Sequence, residues 1–128
     1  MEYFFLTVII LILLVGVFLT FRFSSKKELR KDKKNYYRKE IQKISDFPSP
    51  SERIMKYDVV LHHILKDYGY SGNVGDQLKA KPRVIHDLNT IWSLHKLRNK
   101  LAHSMDTISE ELLERKAEEF EKEILRLL

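Results

Sequence analysis

The chain has 128 residues, no cysteine and a formal net charge of +5. That length suits one small domain plus an appendage, and the lack of cysteine excludes disulfide and thiolate chemistry. The charge does not mark a generally basic protein: residues 22 to 40 hold nine Lys or Arg against Glu28, Asp32 and Glu40, whereas residues 41 to 128 hold fourteen basic and fourteen acidic side chains.

Tyr3 to Phe21 is a 19-residue run without a charge, relieved only by Thr7, Gly16 and Thr20. As a helix it spans roughly 28 Å, close to the hydrocarbon thickness of a bilayer. A cleaved signal peptide would need a basic start, a shorter apolar core and a small-residue cleavage site. Neither Met1-Glu2 nor Phe18-Leu19-Thr20-Phe21-Arg22-Phe23 supplies these features. Residues 1–23 therefore read as a transmembrane anchor. Basic residues flanking a first membrane helix are retained in the cytoplasm, which predicts a single-pass protein of the cell membrane with its N-terminus outside and its C-terminal domain cytoplasmic. The same cluster would attract anionic headgroups at about 1 kcal/mol per basic residue, making anionic lipid an expected contact.

Residues 24–46 are free of Gly and Pro, rich in Lys, Arg, Glu and Tyr, and poor in apolar positions, so they predict a basic juxtamembrane helical stalk. Phe47-Pro48-Ser49-Pro50 breaks it, because the residue before a proline is pushed out of the helical region. The folded domain is expected over 47–128. Ser49-Pro50-Ser51-Glu52 provides an N-cap, a proline at the first helical position and a capping-box Glu. From Pro50 to about Tyr68, Ile54, Tyr57, Leu61, Ile64, Leu65 and Tyr68 recur at intervals of three and four, the mark of one buried helical face.

The glycine-rich stretch Gly69 to Gly75 predicts a loop, with a short helical turn at Asp76 to Ala80. Pro82 is expected to open a second long helix to about His103, with Val84, Leu88, Ile91 and Leu94 or His95 inward. Thr107-Ile108-Ser109-Glu110 offers another capping box, and Leu113, Ala117, Phe120, Ile124 and Leu127 mark a last amphipathic helix. No strand pattern and no repeat is visible. The fold class is all-α: a transmembrane helix, a stalk, then a small antiparallel bundle of three long helices and a short one. A core of about 80 residues is near the lower limit for self-sufficiency, so dimerisation would help.

The chemistry-bearing side chains gather in Trp92 to His103. On a helix, His95, Asn99 and His103 form one polar stripe with Arg98 beside it. Between Lys79 and His103 there are six basic residues and only Asp87 against them, a local patch of +5. Arg98 can contact an anion through several donors, and imidazoles titrate near neutral pH. There is no His-Glu-x-x-His and no cysteine, which argues against a metal site, and no Gly-rich phosphate loop, which argues against a P-loop nucleotidase. No cofactor is called for.

Arg98, Asn99 and His103, on the penultimate long helix of a small α-bundle, resemble the HEPN superfamily motif: Arg, a polar residue, then His. The wider string Trp92 to His103, with the Gly-containing loop upstream, is also similar to a group of small bacterial proteins. The resemblance covers roughly residues 50 to 128. For catalytic members it implies metal-independent RNA cleavage at a site shared by two protomers, each giving its Arg and His. Other members only bind nucleotides or dimerise. Here it makes Arg98, Asn99 and His103 the candidate catalytic residues and leaves open which of Asp58, Asp67 or Asp87 would supply a supporting acid. His95, Lys96 and Lys100 on the same helix are candidate substrate contacts.

Two function classes follow. One is a dimeric endoribonuclease; the other is a non-catalytic nucleotide- or RNA-binding or protein-interaction module at the inner membrane surface. A purely structural role for the motif would have Arg98 paired with the Glu-rich last helix, Asn99 tying a loop carbonyl, and His103 stabilising the helix C-terminus.

Overall fold

The computed structural model describes residues 1–24 and 28–128. Six helices run in the order α1 (Glu2–Ser24), α2 (Lys31–Ser45), α3 (Pro50–Asp67), α4 (Val74–Lys79), α5 (Leu88–His103) and α6 (Glu110–Leu125), with no strand among the described residues.

Helix α1 is long and apolar enough to cross a membrane over Tyr3–Thr20, and none of that span is buried in the protein. It shows no preferred apolar face, because its large side chains are exposed all round. Its threonines return their hydroxyls to the helix itself: Thr7 donates to the carbonyl of Tyr3 at 2.7 Å and Thr20 to that of Val17 at 2.8 Å. Neither hydroxyl is left in need of water, as an apolar solvent requires. The side chains of Arg22, Lys26 and Lys27, counted above in the basic cluster, lie outside the described residues.

The expected stalk over 24–46 contains α2, and α2 does not stand apart. It packs against α3 and α6, burying Tyr37, Ile41 and Ile44. Those three positions are spaced by four and three, a narrow stripe on an otherwise charged helix. The packed helices therefore extend upstream of residue 47, and Leu29 also enters the core. Polar contacts pin α2 in place. The Tyr37 hydroxyl donates to Asp67 at 2.6 Å, Lys33 pairs with the same carboxylate at 3.0 Å, and Arg38 donates to the carbonyl of Leu128 at 3.2 Å.

Helix α3 begins where the sequence places it. Ser49 accepts from the backbone N–H of Glu52, with Pro50 in the first turn. It ends at Gly69, whose φ of 101° lets the chain reverse; the N–H of Tyr70 then bonds the carbonyl of Leu65 and that of Gly69 the carbonyl of Lys66. This pairing satisfies carbonyls that a helix end otherwise leaves open. The next turn, α4, is capped by Asn73 and Asp76, each accepting from the other's backbone N–H.

The second long helix starts later than expected. Lys81 adopts a positive φ of 52°, and residues 81–87 form an irregular loop. Helix α5 begins only when Asp87 caps it, accepting from the Thr90 N–H at 3.0 Å and the Thr90 hydroxyl at 2.8 Å. Ile85 is buried from that loop, so an apolar spacing that reads as helix belongs to a loop packed on the core. Helix α6 starts at Ser109, which accepts from the N–H of Leu112.

Helix α3 is the hub, touching α2, α4, α5 and α6. Tyr57 and Phe120 meet edge to face with ring centres 6.0 Å apart, an arrangement favoured by the ring quadrupoles. Residues 47–128 hold three long helices and one short one.

The Tyr37 hydroxyl holds the Asp67 carboxyl below the usual carboxylate range. A depressed folded value means that this stabilisation is complete above about pH 4, the unfolded range for Asp, and is lost as pH falls through the folded value. Tyr37→Phe is expected to lower the stability of the full chain by about 1–2 kcal/mol at neutral pH. The deficit should narrow below about pH 4; urea unfolding in detergent at both pH values measures it.

Candidate functional site

Asp58 lies in the middle of α3 on the side that faces α5, and only 4 % of its surface remains exposed. A carboxylate taken out of water at this depth needs donors. Helix α5 supplies a donor and a cation: His95 Nδ1 is 2.8 Å from Asp58 Oδ1, and Arg98 Nε stands 3.5 Å from Oδ2 as an ion pair without a hydrogen bond. Asn99 joins the two side chains, since Arg98 donates from a terminal guanidinium nitrogen to the Asn99 amide oxygen at 3.0 Å and the Asn99 nitrogen lies 3.3 Å from His95 Nε2.

These contacts close a ring. Arg98 donates to Asn99, Asn99 donates to His95, and His95 donates to Asp58, whose second oxygen faces Arg98. The ring fixes the neutral tautomer of His95: Nδ1 carries the proton for the acceptor-only carboxylate, and Nε2 accepts from Asn99. Arg98 uses part of its donor set internally and keeps the rest, with 29 % of its side chain exposed.

The ring forms one wall of an open cleft of about 520 Å³, completed by Val59, His62, Asn73 and Val74. The far wall comes from the loop before α4, held by the fully buried Gln77. Its amide nitrogen donates to the carbonyls of His62 and Tyr70, and its oxygen lies 3.3 Å from His62 Nδ1. Gly75 sits close over the ring: a Cβ there would lie 3.2 Å from Asn73 Oδ1 and 3.9 Å from His95 Nε2.

Of the six candidate residues, Arg98, Asn99 and His95 come together in this cleft. His103 does not line it; it ends α5 and is exposed. Lys100 is turned to Asp106 at 3.4 Å. Lys96 lines a second, shallower groove of about 400 Å³ with Asn89, Trp92 and Ser93, adjacent to the first because the Trp92 ring meets His95 edge on at 6.1 Å.

Asp58 is the acid of the site among the three carboxylates left open. Asp67 is occupied by Tyr37 and Lys33, and Asp87 by its cap on Thr90. The expected structural pairing of Arg98 with the last helix is not what forms. Glu114 is taken by Arg53, which holds its carboxyl below the ordinary range, and Glu121 accepts from the Tyr57 hydroxyl at 3.1 Å. His62 is a further residue of the cleft. Its signal is its spacing, four residues beyond Asp58 and therefore on the same face of α3.

No group of three or more His, Cys, Asp or Glu placed to hold a metal ion occurs among the described residues. The cleft instead offers guanidinium and amide donors beside an imidazole, a set suited to the oxygens of an anion. The chain matches no protein-family model, no curated protein and no solved structure.

Asp58→Ala is expected to cost about 2 kcal/mol, because it removes a charge-assisted hydrogen bond and an ion pair, leaving His95 without its acceptor and Arg98 without its counter-charge. Asp106→Ala, at an exposed pair, should cost no more than about 0.5 kcal/mol. In ¹⁵N spectra at mildly alkaline pH, His95 should be protonated at Nδ1 in the wild type and lose that single-tautomer pattern in Asp58→Ala. A mixed-tautomer signal in the wild type would contradict the ring.

Proposed function

We propose that this protein is a membrane-anchored HEPN-like domain that cleaves RNA without a metal, acting as a dimer on the cytoplasmic side of the cell membrane. The observation that carries the reading is the closed ring of Arg98, Asn99, His95 and Asp58 on a solvent-open cleft. It gives Arg98 and Asn99, two residues of the Arg-Asn-x-x-x-His spacing, a buried acid and a fixed orientation, which a chance pair on a surface helix would lack. The domain is taken as a small antiparallel bundle, a reading supported by Lys33 and Tyr37 near the start of α2 meeting Asp67 at the end of α3.

In this reaction a 2′-hydroxyl attacks the adjacent phosphate, the bond to the leaving 5′-oxygen breaks, and a 2′,3′-cyclic phosphate forms. One proton leaves the 2′-oxygen and one is delivered to the 5′-oxygen. Arg98 stabilises the charge that gathers on the phosphate oxygens. Asn99 and Asp58 hold Arg98 and His95 in place. His103, exposed at the end of α5, serves a cleft completed by a second copy, and two such imidazoles divide the base and acid steps. Lys96 and Lys100 contact flanking phosphates. The membrane anchor is α1, with the basic residues after it retained in the cytoplasm.

The second reading is a non-catalytic nucleotide- or RNA-binding or protein-interaction module. The position of His103 outside the cleft lining favours it.

Full-length protein in detergent, incubated in EDTA with structured and unstructured RNAs, is expected to yield cyclic-phosphate ends. Arg98→Ala and His103→Ala should each reduce the rate by at least about 10²-fold. Wild-type protein that binds labelled RNA without cutting it would move the conclusion to the second reading. Protein that neither binds nor cuts any of them would remove RNA from both.

A further inference from the structure

Helix α2 has two unlike faces. Its apolar stripe is buried against α3 and α6. The opposite face points to solvent and carries Lys31, Arg38, Lys39 and Lys43, with Tyr36 57 % exposed among them. Lys31 and Lys39 make no ion pair among the described residues. Arg38 lies at the edge of this face and donates to the main-chain oxygen of Leu128, the final residue, whereas Lys43 is paired with Glu40 at 2.6 Å. Asp32 is the one acid that this face exposes, and it is paired with Arg30 at 3.1 Å.

The position of this face in the chain decides what it meets. Six residues separate Ser24, the end of α1, from Lys31, and that connection spans at most about 25 Å. A bundle anchored through α1 therefore holds α2 near the headgroups.

We propose that the outward face of α2 lies flat on an anionic bilayer surface and sets the orientation of the whole bundle. Lysines and arginines engage lipid phosphates and carboxylates, and Tyr36 places a ring with a polar tip at headgroup depth. Because α2 touches α3 and α6 but not α5, the orientation carries a consequence. With α2 against the lipid, α3 and α6 form the middle of the bundle and the cleft on α5 faces away from the membrane. The proposal rests on α1 being the anchor but not on RNA cleavage.

The absence of cysteine makes single labels clean. Full-length Tyr36→Cys, Ser93→Cys and Leu11→Cys variants, each carrying an environment-sensitive fluorophore, are placed in nanodiscs of phosphatidylcholine alone or with phosphatidylglycerol. Nitroxides on the headgroup or acyl chain serve as quenchers. The label at 11 reports the anchor, and acyl-chain quenching is expected in both disc types. At 36, headgroup quenching should rise at least about twofold when phosphatidylglycerol is added and fall back in molar salt, where the screening length is about 3 Å. Combining Lys31→Gln and Lys39→Gln should weaken it at least about threefold. The label at 93 should stay unquenched.

Quenching at 11 without lipid dependence at 36 overturns the proposal and leaves the anchor intact, as does quenching at 93 equal to that at 36. Loss of quenching at 11 overturns the anchor, and the proposal with it. A label at 36 that responds to soluble polyphosphate but never to the headgroup nitroxide assigns the face to a soluble polyanion and overturns the lipid assignment.

Discussion

The burial of α3 governs this structure. Neighbours pack on it from α2, α4, α5 and α6, and nine of its eighteen residues are lost to solvent. Two of those nine, Arg53 and Asp58, carry charge. Removing an ion from water costs several kcal/mol unless opposite charge and hydrogen bonds replace the solvent, so each of the two dictates a partner on a neighbouring helix. Arg53 takes Glu114 and so sets α6 against α3; Asp58 takes His95 and Arg98 and so sets α5. The requirement that positions the helices also assembles the candidate site. A chemically equipped cleft therefore follows from packing, with Asp58 rooted in the core beside Leu61.

Gln77 extends the same logic to the short helix. Its side chain is fully buried, and it meets that burial by bonding two carbonyls, one from α3 and one from the loop beyond it. An unpaired buried amide would cost about 1–3 kcal/mol, so Asn73 and the first turn of α4, with Val74 and Gly75, are locked where they face His95. The far wall of the cleft is thus fixed by a residue that does not line it.

Much of this was legible in the residues. The apolar run of α1 and the periodicities of α3 and α6 are long and uniform, and Ser49 caps α3 where it is expected to, whereas α6 is capped by Ser109 and not by Thr107, the first residue of the capping box read there. Two misreadings share a cause. Helix α2 buries only three side chains of fifteen, so its charge dominates its composition and conceals a stripe that is nonetheless enough to dock it. Residues 82–87 continue an apolar spacing without being helical, because Ile85 reaches the core from an irregular loop and the positive φ of Lys81 turns the chain first. Periodicity records which side chains are buried, not which backbone conformation buries them. The site shows the same division. One helix, read alone, displays His95, Asn99 and His103 as a stripe with Arg98 beside it, but the choice of Asp58 over Asp67 and Asp87 is tertiary, because each of the other two is occupied by Tyr37 or by a cap.

Placing α2 in the bundle also changes what the chain's charge can do. As a stalk, its lysines would belong to the membrane segment alone; as a packed helix, they become one face of the domain. Packed helices stand about 8–10 Å apart, so with α3 and α6 between them, α2 and α5 lie roughly two helix spacings from each other. That is about two screening lengths at physiological salt, where the Debye length is about 8 Å. The basic face of α2 therefore adds little to the field at the cleft. Any attraction of an anion to the cleft must overcome Asp58 and come from α5, where Arg98, Lys96 and Lys100 are the nearby cations. Of these, Lys100 is already matched by Asp106. Arg98 is itself matched by Asp58, which leaves Lys96, in the adjacent groove, as the cation of α5 without an ion pair among the described residues.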